Sequence, residues 1–258
     1  MFLSIDAGNS NIVFGLYDEQ SGDWVMELRV DTKKSPTAFE IERKIGLYFL
    51  ENGMKPTIIS AIGFSSVVPE LNSVIFQFCK RFFDLEPYSI SGESYRKLLV
   101  STQKPDEIGS DLMANITAAY YKYRQACIVV DFGTALTFTV ADDSGRVIGV
   151  NIVPGIKTAI YSLFANTAKL PQVTMEMPSS SLGKDTVHSI QAGIFYGYTG
   201  LVRGMLQAIR EETHKDFKVI ATGGMASLMT QLKGSFDAVD RNLTLEGIRL
   251  ITKINMAK

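Results

Sequence analysis

Two short runs in this sequence combine glycine, amide or hydroxyl side chains and one aspartate. The first is Asp6-Ala7-Gly8-Asn9-Ser10 and the second is Asp131-Phe132-Gly133-Thr134. Glycine lets the backbone approach a phosphate without a Cβ clash, and the neighbouring N–H, amide and hydroxyl groups can donate to its oxygens. A carboxylate cannot bind phosphate directly, so Asp6 and Asp131 are candidates to hold Mg²⁺, a monovalent cation or their waters. The two runs therefore predict a pair of phosphate-binding loops.

One Asp-x-Gly run alone also fits an ordinary turn at the end of a strand. Here the run lies inside an internal repeat, because residues 3–18 align without a gap with residues 128–143. In each copy a β-rich strand ends on Asp-x-Gly, a second β-rich run follows, and a polar turn closes it, at Ser21-Gly22 and at Ser144-Gly145. The repeat predicts that each half begins with a β-hairpin, and two copies favour phosphate binding over an ordinary turn.

Helical patterns lie between these loops. Four helices are predicted from apolar spacing and capping residues, with starts at Ser35 (Pro36 being the first helical residue), Ser110, Thr186 and Thr244. Gly53 is expected to end the first of them, and the third is expected to run to Glu212. Strands that alternate with helices in both halves indicate an α/β protein. We expect the boundary between the halves near residue 122, without a flexible linker.

Composition excludes several classes of protein. The chain has 258 residues, of which 46% are hydrophobic and 21% charged, and a net charge of −1. Its basic residues are scattered apart from Lys33-Lys34, so the electrostatic footprint of a nucleic-acid binder is absent. No run approaches the ~18 consecutive apolar residues that a membrane span needs. Cys79 and Cys127 lie in apolar surroundings, which predicts buried thiols rather than a disulfide or metal ligands and suits a reducing cytoplasm.

A third glycine run, Thr222-Gly223-Gly224, again follows a β-rich segment, in a position where backbone could pack against an adenine or ribose. Together with the two loops it resembles the layout of the acetate and sugar kinase, heat-shock 70 and actin superfamily. This resemblance implies two similar ribonuclease-H-like domains with a nucleotide cleft between them, the actin-like ATPase fold. The two domains are expected to cover residues 1–122 and 123–258.

Several further runs resemble the type III pantothenate kinase family and span nearly the whole chain. They include Ser-Ser-Val-Val-Pro at 65–69, Val-Pro-Gly at 153–155 and the two runs at 183–186 and 193–198. The resemblance implies ATP-dependent phosphorylation of pantothenate to 4'-phosphopantothenate, the first step of coenzyme A biosynthesis. It also implies ATP, Mg²⁺ and a monovalent cation, K⁺ or NH4⁺, as cofactors, and a cytoplasmic homodimer.

The resemblance assigns site residues as well. Asp111 becomes the catalytic base, Asp131 binds the monovalent cation, and Thr186 reaches the acceptor across a dimer interface. Without the resemblance, Asp111 and Thr186 also fit the ordinary start of a helix, where acidic and small polar residues are favoured. ATP binding falls on Asp6, Ala7, Gly8, Asn9, Ser10, Asn11, Ile12, Val13, Gly133 and Thr134, and acceptor binding on Thr102, Gly109, Ser110, Asp111, Leu112 and Thr186.

Two positions depart from the acceptor site of that family. Leu112 stands where the family has an arginine that would pair with the pantothenate carboxylate, and Thr102 stands where a tyrosine usually lines the site. Losing the paired, charge-assisted hydrogen bonds of an arginine typically costs about a hundredfold or more in affinity. Lys104 is near enough in sequence to compensate.

Two alternatives therefore stay open beside pantothenate phosphorylation. The first is a related kinase that acts on another small hydroxyl compound. The second is a non-catalytic regulatory relative that keeps the fold, and the presence of Asp6, Asp111 and Asp131 argues against it.

Overall fold

The computed structural model describes residues 1–32 and 35–257, so Lys33-Lys34 lies outside the described residues. Contacts divide the chain into two compact units. The first unit is Met1–Lys122 together with Asn242–Lys258, and the second is Tyr123–Arg241. Within the described ranges, no helix has both the length and the apolar character needed to cross a membrane.

The first unit contains a five-stranded sheet in the order β3-β2-β1-β4-β5. β1, β2 and β3 are antiparallel neighbours, whereas β1, β4 and β5 run parallel. The strands are β1 (Phe2–Ala7), β2 (Asn11–Asp18), β3 (Asp23–Asp31), β4 (Ala61–Ser66) and β5 (Tyr88–Ser89). β1 and β2 therefore form the predicted first hairpin. Gly22 adopts a positive φ of 80° in the following turn, between β2 and β3.

The second unit repeats this order, β8-β7-β6-β9-β10, with the same antiparallel and parallel pairings. Its strands are β6 (Cys127–Phe132), β7 (Ala135–Ala141), β8 (Val147–Pro154), β9 (Lys218–Thr222) and β10 (Ala238–Val239). Gly145 occupies the closing turn with a φ of 81°. The predicted repeat thus corresponds to two sheets of one topology.

The gapless alignment of the two repeats is wrong by one residue after the aspartates. Asp6 lies opposite Val13 in the first hairpin, whereas Asp131 lies opposite Thr137 in the second. The cause is the length of the turn, because three residues separate β1 from β2 and only two separate β6 from β7. A shift of one residue in a strand exchanges the faces on which side chains lie. The shorter turn therefore sets Thr137 opposite Asp131, where the gapless alignment would have set the apolar Phe138.

Six α-helices complete the described fold: α1 (Ala38–Glu51), α2 (Asn72–Phe83), α3 (Ser110–Tyr123), α4 (Ile156–Ala165), α5 (Thr186–Thr213) and α6 (Leu243–Met256). The predicted starts of α3 and α5 are confirmed, and that of α6 differs by one residue. The predicted start at Ser35 is wrong. Thr37 caps α1 through a reciprocal pair of hydrogen bonds with Glu40, whereas Ser35 has a positive φ of 44°.

Each unit has its own apolar core. In the first unit, apolar side chains of α1 and α2, among them Ile41, Ile45 and Phe78, cover one face of the sheet. In the second unit, α4 and α5 cover the sheet with Ile160, Phe195 and other apolar side chains. Cys79 and Cys127 are both buried free thiols, as predicted, and burial raises the pKa of each to about 12.

The last helix belongs to the first unit although it ends the chain. The Ser4 hydroxyl donates to the carbonyl of Leu245 at 2.8 Å, and Thr244 Oγ1 donates to Asn115 Oδ1 at 2.7 Å. A Cβ added to Gly247 would overlap the backbone of Ala114, so glycine is required for this close approach to α3. The expected second domain, residues 123–258, therefore differs from the observed division, because α6 packs on β1 and α3.

Candidate functional site

The first loop predicted to bind phosphate, residues 8–10 between β1 and β2, is held by hydrogen bonds from the end of β3; we call it the Gly8 loop. Gly8 N–H donates to Asn11 O at 3.0 Å within the loop. Thr32 holds it from outside, because its hydroxyl donates to Gly8 O at 2.8 Å and its N–H donates to Ser10 O at 3.0 Å. Sequence reasoning missed Thr32, since its role depends on the register that sets Asn11 opposite Asp31.

A pair of serines joins this loop to the start of α3. Asp6, the last but one residue of β1, lies beside Ser65 in the parallel pairing of β1 with β4. The hydroxyls of Ser65 and Ser110 lie 2.8 Å apart and hydrogen bond to each other. Ser110 Oγ also donates to Ser66 O at 3.3 Å. The start of α3, with Asp111, is thus fixed at the end of the sheet from which the Gly8 loop projects.

Asp111 is placed by the first turn of α3. Its Oδ1 accepts a hydrogen bond of 2.8 Å from the Leu112 N–H. Burial raises the pKa of the Asp111 carboxyl above its ordinary value, and the backbone N–H donors oppose that shift. A Cβ at Gly109 would overlap the Asp111 carboxylate, so glycine there leaves room for the side chain. A carboxyl group with a raised pKa at a strand-end site is suited to accept a proton.

Tyr95 lies in the electrostatic surroundings of Asp111, which sequence reasoning missed. Burial, and then the carboxylates of Asp111 and Asp106, raise the pKa of the Tyr95 phenol to about 12. A short 3-10 segment, Gly92–Lys97, carries it. Asn255 of α6 fixes that segment by donating to Ser94 O at 2.9 Å.

Two further residues are predicted from the sequence to bind the acceptor, Leu112 and Thr102, and both are half-buried. The Thr102 hydroxyl accepts from the Lys104 N–H at 3.3 Å. The Lys104 ammonium forms an exposed ion pair with Glu107 at 2.8 Å. The Lys104 ammonium, which the sequence offered as a substitute for the arginine, is therefore paired with Glu107 at the surface.

The second loop predicted to bind phosphate, Gly133-Thr134 between β6 and β7, is held by hydrogen bonds from the start of α4. Gly133 N–H donates to Ala135 O at 3.1 Å across the two-residue turn. Thr134 O accepts from Gly155 N–H at 3.0 Å and from the Thr158 hydroxyl at 2.7 Å. A Cβ at Gly155 would overlap the carbonyl oxygens of Gly133 and Thr134. The Val-Pro-Gly run of the sequence thus supports this loop.

The third glycine run borders Asp131. Gly223 has a φ of 89°, and a Cβ there would overlap the Asp131 carboxylate and the backbone of Phe132. The register places Thr137 on one side of Asp131 and Thr222 on the other. Both threonine hydroxyls are buried without a hydrogen-bond partner in the described part of the chain. Across the described residues, no three His, Cys, Asp or Glu side chains gather as a metal site.

Thr186 lies in the second unit, at the first residue of α5. Asp185 caps this helix by accepting from His188 N–H at 2.8 Å. A cavity of about 600 Å³ opens beside it and is lined by Lys184, Thr186, Ser189, Leu163 and Leu170, among others. Thr186 and Lys184 are exposed, and Lys184 forms no ion pair with any described residue.

An apolar surface adjoins this cavity. Tyr161, Leu163 and Phe164 of α4 are exposed, as are Leu182 and Val187 near the start of α5. The ring centroids of Tyr161 and Phe164 lie 6.3 Å apart. We call these five residues the α4 surface. A cluster of this kind marks an interaction site more often than isolated exposed apolar residues do.

Solved structures of other proteins share this fold. One is component A of the (R)-2-hydroxyglutaryl-CoA dehydratase of Acidaminococcus fermentans, with a TM-score of 0.54 at 13% identity over 98% of each chain. Another is the activator of the 2-hydroxyisocaproyl-CoA dehydratase of Clostridium difficile, with bound ADPNP. Its TM-score is 0.50 at 9% identity over 98% of this chain and 95% of that one. The α/β fold is of the actin-like ATPase type.

Sequence comparison identifies the family. A family model for type III pantothenate kinase matches residues 2–208. The type III pantothenate kinase of Citrifermentans bemidjiense is 41% identical over 255 residues, which cover 99% of this chain and 100% of that protein. That of Desulfatibacillum aliphaticivorans is 39% identical over 252 residues, with 97% of each chain covered. This chain belongs to the type III pantothenate kinase family.

Proposed function

We propose that this protein transfers the γ-phosphoryl group of ATP to the primary hydroxyl of pantothenate, forming 4'-phosphopantothenate and ADP. The observation that carries this proposal is the Ser65–Ser110 hydrogen bond, which sets the Asp111 carboxyl at the strand end that bears the Gly8 loop. In the reaction, the hydroxyl proton passes to Asp111 as the hydroxyl oxygen bonds to the γ-phosphorus. The bond from that phosphorus to the ADP oxygen breaks.

ATP binding is assigned to the two loops. In residues 6–13 and in Gly133 with Thr134, exposed or half-buried glycines without a Cβ let a phosphate approach the backbone closely, and hydroxyl and amide side chains stand beside them. The ADPNP bound to the Clostridium difficile activator supports nucleotide binding by this fold. Phosphoryl transfer needs positioning and neutralisation of charge more than covalent chemistry, so loops of this kind suffice.

The cations are assigned to the two loop aspartates. Mg²⁺ would supply charge neutralisation on the phosphates, and Asp6 would hold it through water, because a single carboxylate is too few ligands for an all-protein cage. Asp131 would hold the monovalent cation. The donors around Asp131 fit that ion, since the neighbouring side chains Thr137 and Thr222 are neutral oxygen ligands.

We assign pantothenate to a site completed by a second copy of the chain. Thr186 is exposed beside the α4 surface, which gives a second copy an apolar area to cover. On this proposal, Thr102, Gly109, Ser110 and Leu112 of one subunit contact the acceptor together with Thr186 of the other.

Lys184 is the cation that we assign to the pantothenate carboxylate in place of an arginine at position 112. It lines the same cavity as Thr186. Lys184→Ala should raise the KM for pantothenate about tenfold to a hundredfold, because a hydrogen bond to a charged group contributes about that much to affinity. The affinity for ATP should not change. Lys233→Ala, an exposed lysine in the same unit, is the matched control. An unchanged KM in Lys184→Ala would remove Lys184 from the site.

The acceptor is tested by following labelled phosphate. Purified protein is given ATP labelled in its γ-phosphate with pantothenate or pantetheine, which carries the same hydroxyl but no carboxylate. Mass spectrometry should find the label on pantothenate, with a higher kcat/KM than for pantetheine. Preferred labelling of pantetheine would mean that the acceptor site does not select a carboxylate.

A further inference from the structure

The strand register places three oxygen-bearing side chains in one row across the second sheet. Asp131 of β6 lies directly opposite Thr137 of β7 and directly beside Thr222 of β9. Residues directly opposite each other on neighbouring strands have their side chains on the same face. The row therefore has a carboxylate in its centre and one hydroxyl on each side.

Both hydroxyls are buried and have no hydrogen-bond partner among the described residues. Thr222 is 1% exposed and Thr137 is 8% exposed, and neither Oγ1 forms a hydrogen bond with a described residue. A buried hydroxyl usually finds a partner; that of Thr199, for example, donates to Phe195 O at 2.8 Å. Valine has nearly the same shape as threonine, and at these two strand positions it would avoid the cost of burying a hydroxyl that has no partner. Two such hydroxyls flanking one carboxylate point to a ligand.

The first unit lacks this row. Asp6 has Val13 opposite it on one side and Ser65 on the other. Valine has no oxygen, and the Ser65 hydroxyl is bonded to Ser110. The row is therefore a property of the second unit, although the two sheets share one topology.

We propose that Thr137 and Thr222 complete the monovalent-cation site of Asp131, each hydroxyl oxygen binding the ion directly or through one water. One carboxylate and two neutral oxygens give a low total charge, which suits K⁺ or NH4⁺ better than a divalent ion. Gly223 lies against the Asp131 carboxylate, and any side chain at this position would overlap the carboxylate that is proposed to hold the ion. This inference rests on the cation role proposed for Asp131.

The test uses the protein without ATP or pantothenate, so it does not depend on turnover. Tm is measured while KCl replaces choline chloride at constant ionic strength, and thallium-205 NMR measures binding of Tl⁺, an analogue of K⁺. Wild-type Tm should rise with KCl, because an ion that binds only the folded state stabilises it. Asp131→Asn should abolish both the rise and the binding of Tl⁺.

The decisive variants are Thr137→Val and Thr222→Val. Each should weaken Tl⁺ binding at least tenfold and reduce the K⁺-dependent rise, while Tm in choline stays equal to or above that of wild type. Thr137→Ser and Thr222→Ser keep the hydroxyl and should keep the K⁺ effect. Thr252→Val is the control and should retain the full K⁺ effect. Thr252 lies in the first unit, is also buried, and its hydroxyl has no hydrogen-bond partner within the described part of the chain.

Any of three results would overturn the inference. If the valine variants bind Tl⁺ as wild type does, the threonines are not part of the site. If Asp131→Asn keeps the K⁺ effect, or wild type shows none, the site is not at this row. Pantothenate phosphorylation itself is decided separately, by labelled-phosphate transfer in the presence of ATP.

Discussion

The hydroxyls of Ser65 and Ser110 lie 2.8 Å apart, and both side chains are buried. Ser65 is the last but one residue of β4 and lies beside Asp6, whereas Ser110 begins the helix that carries Asp111. One hydrogen bond therefore connects β4, beside the end of β1 that leads into the Gly8 loop, with the helix of the proposed base. Phosphoryl transfer depends on the relative position of such groups to within less than about 1 Å.

Ser110→Ala should lower both stability and turnover. The Ser65 hydroxyl would stay buried without this partner, which costs about 1–3 kcal/mol in free energy of unfolding. The double variant Ser65→Ala/Ser110→Ala removes both partners and should lose less stability than the sum of the single losses. Urea unfolding of the three variants measures this, and strictly additive losses would contradict the coupling of the two serines.

Asp111→Asn should reduce kcat by about 10²–10⁴-fold, the usual contribution of a general base. Wild-type turnover should also fall as pH is lowered through the raised pKa of Asp111, because the base must be ionised. A variant with full turnover at neutral pH would exclude Asp111 as the base.

The same substitution should stabilise the protein at neutral pH. Burial raises the pKa of folded Asp111 above its ordinary value of 3.8, so the folded state binds this proton more tightly than the unfolded state. The contribution of Asp111 to stability is therefore present below pH 3.8 and is lost as pH rises through the folded pKa. Thermal unfolding of Asp111→Asn at pH 7.5 should give a higher Tm than wild type, and a lower Tm would contradict this reading of its burial.

Gly223→Ala should destabilise the second unit and weaken ATP binding. Its φ of 89° and the overlap of a Cβ with Asp131 and Phe132 both oppose a side chain there, at a cost of more than about 1 kcal/mol. Gly204→Ala is the matched control, because Gly204 is exposed in α5 with open space around it. The control should gain about 0.5–1 kcal/mol of stability. Equal effects of the two changes would contradict the account of Gly223.

A shared site makes a prediction for mixed dimers. Asp111→Asn and Thr186→Leu homodimers should each have little activity, because every site lacks one residue. Mixing the two after dissociation should restore about a quarter of wild-type activity, since half of the dimers are mixed and each has one intact site of two. No recovery in mixtures that mass photometry shows to contain dimers would place Thr186 outside the neighbouring subunit's site.

The repeated Asp-x-Gly runs predicted the two sheets because strand periodicity and glycine turns are local signals. The contacts of α6 with β1 and α3 were not predictable, since Ser4 and Leu245 are far apart in sequence. The one-residue difference in register between the β1–β2 and β6–β7 hairpins was not predictable from the gapless alignment. Turn length sets the register, and the turns of these two hairpins differ by one residue. Thr32 and Tyr95 were not predicted, and Thr222 was predicted only as part of a glycine run, because contacts distant in sequence give these side chains their surroundings.

ADP release from purified protein with ATP, Mg²⁺ and K⁺, measured with and without pantothenate, decides whether this protein phosphorylates pantothenate. We expect ADP release to depend on pantothenate and to equal the 4'-phosphopantothenate formed, one molecule for each ADP. ADP release that pantothenate does not change, in protein that binds ATP, would contradict this expectation.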